Sequence, residues 1–305
     1  MNVHVHFGDV GPDYLVDLLV KGFADAGHTV TWWPHKAYLN GDAPFLRPPL
    51  VQGWGGAGAW GRPQDTTAWL AQATSADVLV WTHDHAMTDA GARDVSTQTT
   101  NFYGRKIALD TYDVPVTTFR DVMRRFAGFE IVAREGPFDA DVIPVDYPFN
   151  PIWTPNGAMH RSIPVLFAGD FGVGNRKAYA DALRCAAHPG AIVTDRLTFP
   201  DWLDALSQSR LVVCPEGAGK KTYRLWEAAA AGCALLVERT CVVAGLVDGE
   251  NCVFFDDVDD LQAKTQTLVY SPLQTMRLGH AAKEEAFTNH TPGAVARRLL
   301  GAAHA

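Results

Sequence analysis

Apolar positions along this chain switch repeatedly between a period of two and a period near 3.6. Val3, Val5 and Phe7 alternate with polar neighbours, and Gly8, Gly11 and Pro12 end the run. Leu15, Leu18, Leu19, Gly22 and Phe23 then recur at helical spacing, which predicts a helix over residues 13–26. Gly27 stops it, and residues 28–33 read as a second strand. A strand, a glycine turn and a helix make half of a Rossmann-like unit.

The same rhythm continues. Residues 66–73 read as a helix and 76–82 (ADVLVWT) as a buried parallel strand. Strands are expected at 106–109, 130–133 and 142–145, with a basic amphipathic helix at 116–126. Residues 34–64 are rich in Gly and Pro and show no period, so GWGGAGAWG (53–61) reads as a surface loop. Residues 146–162 carry three prolines and no pattern, which places the linker there. Beyond it, strands at 163–168, 191–194, 210–214, 234–238 and 252–255 alternate with helices at 176–187, 200–206 and 223–231. Three helices, 257–270, 272–287 and 292–302, close the chain. Such alternation predicts an α/β protein with two parallel sheets. The domains are expected at 1–150 and 151–305, with the last helix free to pack back on the first.

Composition narrows the classes. A length of 305 residues suits two domains, and 47% apolar content suits two cores. The net charge of −8 argues against nucleic-acid binding by bulk charge. The N-terminus lacks the features of a secretory leader, and no apolar run reaches 18 residues. Five cysteines without a CxxC pair suit reduced thiols in a cytoplasmic protein.

The most informative stretch is VVCPEGAGKKTYRLWEAAAAGCALLVE (212–238). A buried strand ends at Cys214, a glycine turn follows, and Thr222 stands where it can cap a helix. Backbone N–H groups at such a helix start, with its dipole, favour an anion. Gly217, Gly219, Lys220 and Lys221 would complete a cradle for a diphosphate. Arg224 and Glu227 share a helix face, where Arg can fork onto phosphate and Glu can accept from ribose hydroxyls. An ordinary βαβ unit with Glu227 paired to Arg224 is the plainer alternative. The Walker reading fails, because Cys214 replaces its first Gly and Lys221 its Ser or Thr.

These residues carry a family resemblance. Arg224, Glu227, Ala228, Ala230 and Gly232 match R-x-x-E-A-x-A-x-G, and Gly249, Asn251, Asp260 and Leu261 match the G-x-N turn and D-L helix start that follow. The C-terminal half thus resembles GT-B glycosyltransferases of the CgeB-like, group 1 type. The resemblance implies two Rossmann-like domains facing a cleft, Glu227 on the donor ribose, and Arg224 with the glycine turn on the pyrophosphate. Related retaining enzymes carry an earlier Glu, for which Glu216 is the candidate, eleven positions before Glu227. AGDFGVGNRK (168–177) places Arg176 and Lys177 in a helix's first turn, against the dipole, which suits an anionic partner. WTHDHAM (81–87) resembles the H-D-W turn of glycogen-synthase-like enzymes, with His85 in place of Trp. By that match His83 meets the sugar. For an inverting reaction Asp84, Asp9, Asp110 and Asp13 compete as the base.

The expectation is sugar transfer from a UDP- or GDP-linked donor to a hydroxyl. His83, Asp84 and Asp9 are the catalytic candidates, and Trp54, Trp60 and His85 lie on the acceptor side. No cofactor or metal is expected, and DDVDD (256–260) reads as a helix cap. The acceptor stays open: glycan, lipid, protein, small molecule or a hydroxylated DNA base, which net charge does not favour. An epimerase or phosphorylase on the same fold, or a non-catalytic nucleotide-binding module, are the alternatives. Arg120, Arg124 and Arg125 form a basic helix face that is either solvated or placed to meet phosphates. His4 and His6 read as a satisfied pair on a sheet face.

Overall fold

The computed structural model describes residues 1–6, 14–33, 75–82, 97, 99, 102–110, 120, 121, 123, 124, 128–133, 142–145, 148, 149, 154, 155, 160–186, 188–217, 220, 222–241 and 243–301. The predicted helix at 66–73 and the 53–61 loop lie outside them. Two compact units divide the chain. One holds Met1–Val145 with Pro292–Ala305, the other Asp146–Thr291.

The first unit is built on β1 (Asn2–His6), α1 (Tyr14–Asp25), β2 (Thr29–Trp33), β3 (Val78–Thr82), β4 (Arg105–Asp110), β5 (Glu130–Ala133) and β6 (Val142–Pro144). Its sheet runs β2-β1-β3-β4-β5-β6 and every described pairing is parallel. Strand β3 is buried throughout, as a central strand covered on both faces must be. β1 lies between β2 and β3, with Val3 facing Val30 and Val78 in register. The alternation of β1 therefore buries histidines on one face as firmly as valines on the other.

The second unit contains β7 (Ile163–Ala168), α2 (Arg176–Cys185), β8 (Ile192–Thr194), α3 (Phe199–Gln208), β9 (Ser209–Cys214) and α4 (Tyr223–Ala230). β10 (Ala234–Glu238), β11 (Val253–Phe255), α5 (Val258–Val269) and α6 (Pro272–Asn289) follow. Its sheet runs β11-β10-β9-β7-β8, again parallel. Val165, Phe167, Leu211, Val213, Leu236, Phe255, Leu261 and Leu278 form its core. The last helix, α7 (Pro292–Gly301), belongs to the first unit and packs on α1. There a Cβ on Gly22 would fall 2.2 Å from the Pro292 carbonyl oxygen, so only glycine permits the contact.

Two elements depart from the pattern. α3 begins earlier and ends later than residues 200–206, because the Thr198 hydroxyl accepts the Asp201 N–H at 3.3 Å and Pro200 suits the first turn. Arg161, in the expected linker, is tied to the sheet edge. It donates to the carbonyls of Ala231 and Ser209, placing a cation at the C-terminal end of α4. Among the described residues no helix is long and apolar enough to cross a membrane.

Candidate functional site

β7 and β9 are neighbours with Leu166 opposite Val212, so the turns leaving their carboxyl ends lie side by side. In an open parallel sheet this edge is where ligands bind. The turn after β7 touches the start of α4 directly. A Cβ on Gly169 would fall 2.3 Å from Arg224 Nη2, so the guanidinium rests on a surface that only glycine leaves open. Gly174 of the same turn faces Glu216 Oε1, 3.9 Å from where its Cβ would sit. Acidic side chains occupy two of this turn's amides: Phe171 N donates to Asp195 Oδ1 and Gly172 N to Asp170 Oδ1, both at 2.9 Å. The Gly172 amide, with Arg196, holds the Asp170 carboxyl below the usual carboxylate range.

Arg176 opens α2 yet turns inward. It is buried, and its Nε donates to the Glu216 carbonyl at 2.8 Å. Burial lowers its pKa, against the pull of Asp170, Cys241, Cys214 and Glu238, and an arginine remains charged through such a shift. Lys177 instead points to solvent and pairs with Asp181 at 2.9 Å. Of the basic pair, only Arg176 is part of the site.

The segment after β9 is pinned from both sides. Glu216 N donates to Glu238 Oε2 at 2.9 Å, and the other oxygen of Glu238 accepts the Tyr179 hydroxyl at 2.7 Å. Burial would raise the Glu216 carboxyl, but hydrogen bonds from Lys220 and Thr240 win and hold it below its ordinary value. Lys220 is therefore not the open cation expected beside an anion pocket. It is paired with Glu216 four residues back, which raises its own pKa. Gly217 is half-buried within this segment.

Thr222 occupies the N-cap position with extended backbone, φ −135° and ψ 144°, but its side chain makes no capping bond. The capping role read from its residue type is thus not realised. Within α4, Glu227 is buried and accepts the indole N–H of Trp202 at 2.9 Å. Arg224 lies over the same indole, 5.8 Å from the ring centroid. Beneath them Ala228 to Ala231 are fully buried, and Trp226 stacks on His290 at 3.5 Å. A buried carboxylate and a guanidinium thus stand on one face at the helix start, set on a common aromatic support.

Residues 162–301 match the family model described as glycosyl transferase-like. The whole chain also superposes on solved structures. HepE of Anabaena, solved with UDP-glucose, is 10% identical at TM-score 0.62, covering 99% of each chain. Sucrose-phosphate synthase of Thermosynechococcus elongatus is 11% identical at TM-score 0.60, covering 99% of this chain and 98% of its own. The DNA-modifying β-glucosyltransferase, studied with and without uridine diphosphoglucose, is 11% identical at TM-score 0.55, with 99% of each chain covered. The chain has the GT-B glycosyltransferase fold. No curated protein matches it by sequence.

In this GT-B chain the described donor-side candidates Arg176, Glu216, Gly217, Lys220, Thr222, Arg224 and Glu227 all stand at one sheet edge. Gly219, Lys221, His83, Asp84, His85, Asp9, Asp13, Trp54 and Trp60 lie outside the described residues. Asp110 is buried and bound to buried Arg120 at 2.7 Å. That removes Asp110 from the contest for a base, and it takes Arg120 out of the basic helix face, since Arg120 serves the core of the first unit, while Arg125 lies outside the described residues. Three of the four DDVDD carboxylates are engaged: Asp257 caps α5 by accepting Asp260 N at 2.9 Å, Asp260 pairs with Lys264 and Asp256 with Arg239. The thiols of Cys214, Cys233 and Cys252 are pushed up to about 12, 11 and 12 by burial and stay protonated at neutral pH.

Sequence reasoning passed over Trp202, Glu238 and Tyr179, and it took Gly169 only as part of the glycine turn at 169–174. One signal was legible: ALLVE ends a wholly apolar strand on a carboxylate, at the edge where ligands bind. Trp202 carried no such mark, and the contact of Gly169 with Arg224 carried none either, because each depends on a neighbour distant in sequence.

Proposed function

We propose that this GT-B chain moves a sugar from a UDP-linked donor to an acceptor hydroxyl. The observation that carries the reading is Arg224 seated on Gly169, with buried Glu227 one turn further along the same helix. Glu227 accepts the ribose hydroxyls. Arg224 meets the pyrophosphate together with backbone amides at the start of α4, and buried Arg176 holds the 215–217 backbone beneath it. As the sugar–phosphate bond breaks, charge grows on the leaving diphosphate, and these fixed donors stabilise it without reorganising. UDP is favoured over GDP because HepE was solved with UDP-glucose and the DNA-modifying enzyme with uridine diphosphoglucose.

The transfer needs no metal in this proposal, since the helix start and the arginines neutralise the leaving group. His83 or Asp84 acts at the reacting centre. The acceptor is held by the first unit, with Trp54 and Trp60 as stacking platforms. Five free cysteines support a cytoplasmic site of action.

The test is calorimetric titration with UDP in the presence of EDTA. The unaltered protein binds with chelator present, and Glu227→Ala binds about ten- to a hundredfold more weakly, as expected for a lost hydrogen bond to a charged group. Equal affinity in the two proteins refutes the ribose assignment. Binding abolished by EDTA and restored by manganese refutes the metal-free mechanism.

A further inference from the structure

Trp202 touches both charged groups of the site while standing on a different helix. It sits in the first turn of α3, which Thr198 caps, and it is almost wholly buried. Its indole N–H reaches Glu227 Oε2 at 2.9 Å, and the Arg224 guanidinium lies over its ring at 5.8 Å. The indole N–H is a donor only, so it can address the carboxylate in one sense and cannot exchange roles with it. The final torsion of a glutamate is broad and roughly two-fold, and nothing intrinsic to the side chain sets the plane of its oxygens. A fixed N–H on one oxygen restrains that plane.

We infer that Trp202 is a positioning residue that aims the Glu227 carboxylate and so sets the selectivity of the site for ribose over 2′-deoxyribose. The inference rests on the ribose role of Glu227 proposed above. A carboxylate offers about four acceptor positions, of which the indole takes one, and the direction of the others follows from it. Two ribose hydroxyls are best met by a carboxylate held in one plane. A carboxylate able to rotate still accepts from one hydroxyl, but it loses the gain from meeting both. Losing the N–H therefore weakens UDP more than it weakens its 2′-deoxy analogue. Arg224, resting on the ring itself, keeps its support when only the N–H is removed.

The experiment measures the affinities of UDP and 2′-deoxy-UDP for four proteins by calorimetry. These are the unaltered chain, Glu227→Ala, Trp202→Phe, and the chain with benzothienylalanine at position 202, which keeps the bicyclic shape and deletes only the N–H. The unaltered chain is expected to prefer UDP by about tenfold, the worth of one hydrogen bond to a charged group. Glu227→Ala should erase the preference, and both changes at Trp202 should bring it most of the way down. If Trp202→Phe fails to fold, benzothienylalanine decides the matter. Should Glu227→Ala lose the preference while both Trp202 proteins keep it, Trp202 is packing alone and the inference is wrong. Should Glu227→Ala keep the preference, or the unaltered chain show none, the ribose reading of Glu227 fails first and the inference falls with it.

Discussion

At the scale of single residues, the site is a set of polar groups each held by a partner that sequence spacing does not reveal. Glu227 answers to Trp202, Glu216 to Glu238 through its backbone, and Arg224 to the missing side chain of Gly169. The last contact yields a prediction. Gly169→Ala would place a methyl 2.3 Å from Arg224 Nη2, so the flexible arginine is displaced, and at φ +157° the alanine also strains the backbone of the turn. UDP affinity should fall about tenfold, matching Arg224→Ala, and the double variant should lose little more, because both changes remove one contact. Additive losses in calorimetry would show that Gly169 acts by some other route. The residue scale also shows where composition misleads. Lys220 looked like an open cation and is an ion-pair partner, while Arg120 looked like surface and is core.

At the scale of elements, small residues decide how closely helices approach the sheet. α4 ends in four buried alanines and Gly232, whose φ of +77° turns the chain into β10. α6 lies against that turn: a Cβ on Gly279 would fall 2.5 Å from the Gly232 carbonyl oxygen and 3.1 Å from Ala234 N. In an exposed helix interior, glycine to alanine stabilises by about 1 kcal/mol. Here the obstacle is the backbone of residues 232–234, so Gly279→Ala should instead destabilise by about 1–3 kcal/mol. A melting temperature lower by several degrees is the expected result, and a rise would mean that α6 can shift without cost. The alanine-rich run thus suits close packing that brings Arg224 and Glu227 to the sheet edge.

At the scale of the whole molecule, the two units stand on unlike foundations. The second has an aliphatic and aromatic core, whereas the first buries two imidazoles on β1, between β2 and β3. His4 Nδ1 meets the Thr31 hydroxyl at 2.8 Å, and His6 stacks on Trp81 at 3.8 Å. Burial pushes their pKa values down to about 4 and about 3, with His4 adding to the effect on His6. Their folded values lie below the unfolded value near 6.5, so the unfolded chain binds protons first as the medium is acidified. Their contribution is complete above pH 6.5 and is lost as pH falls toward 4, by roughly 1.4 kcal/mol per pH unit for each histidine. Melting temperature should therefore drop from pH 7 to pH 5, with a shallower slope in His4→Asn; a flat profile would contradict it. What the sequence by itself determined was the order of the described strands and helices, the parallel sheets, the turn that follows Cys214, and Arg224 with Glu227 on one helix face. Those features are local, set by periodicity, glycine placement and side-chain spacing within one element. Only the tertiary structure decided that Arg176 turns inward, that Lys220 and Asp110 are spoken for, and that Trp202, Glu238 and Gly169 belong to the site. Each of those outcomes is a contact between segments that chain folding, and not sequence spacing, brings together.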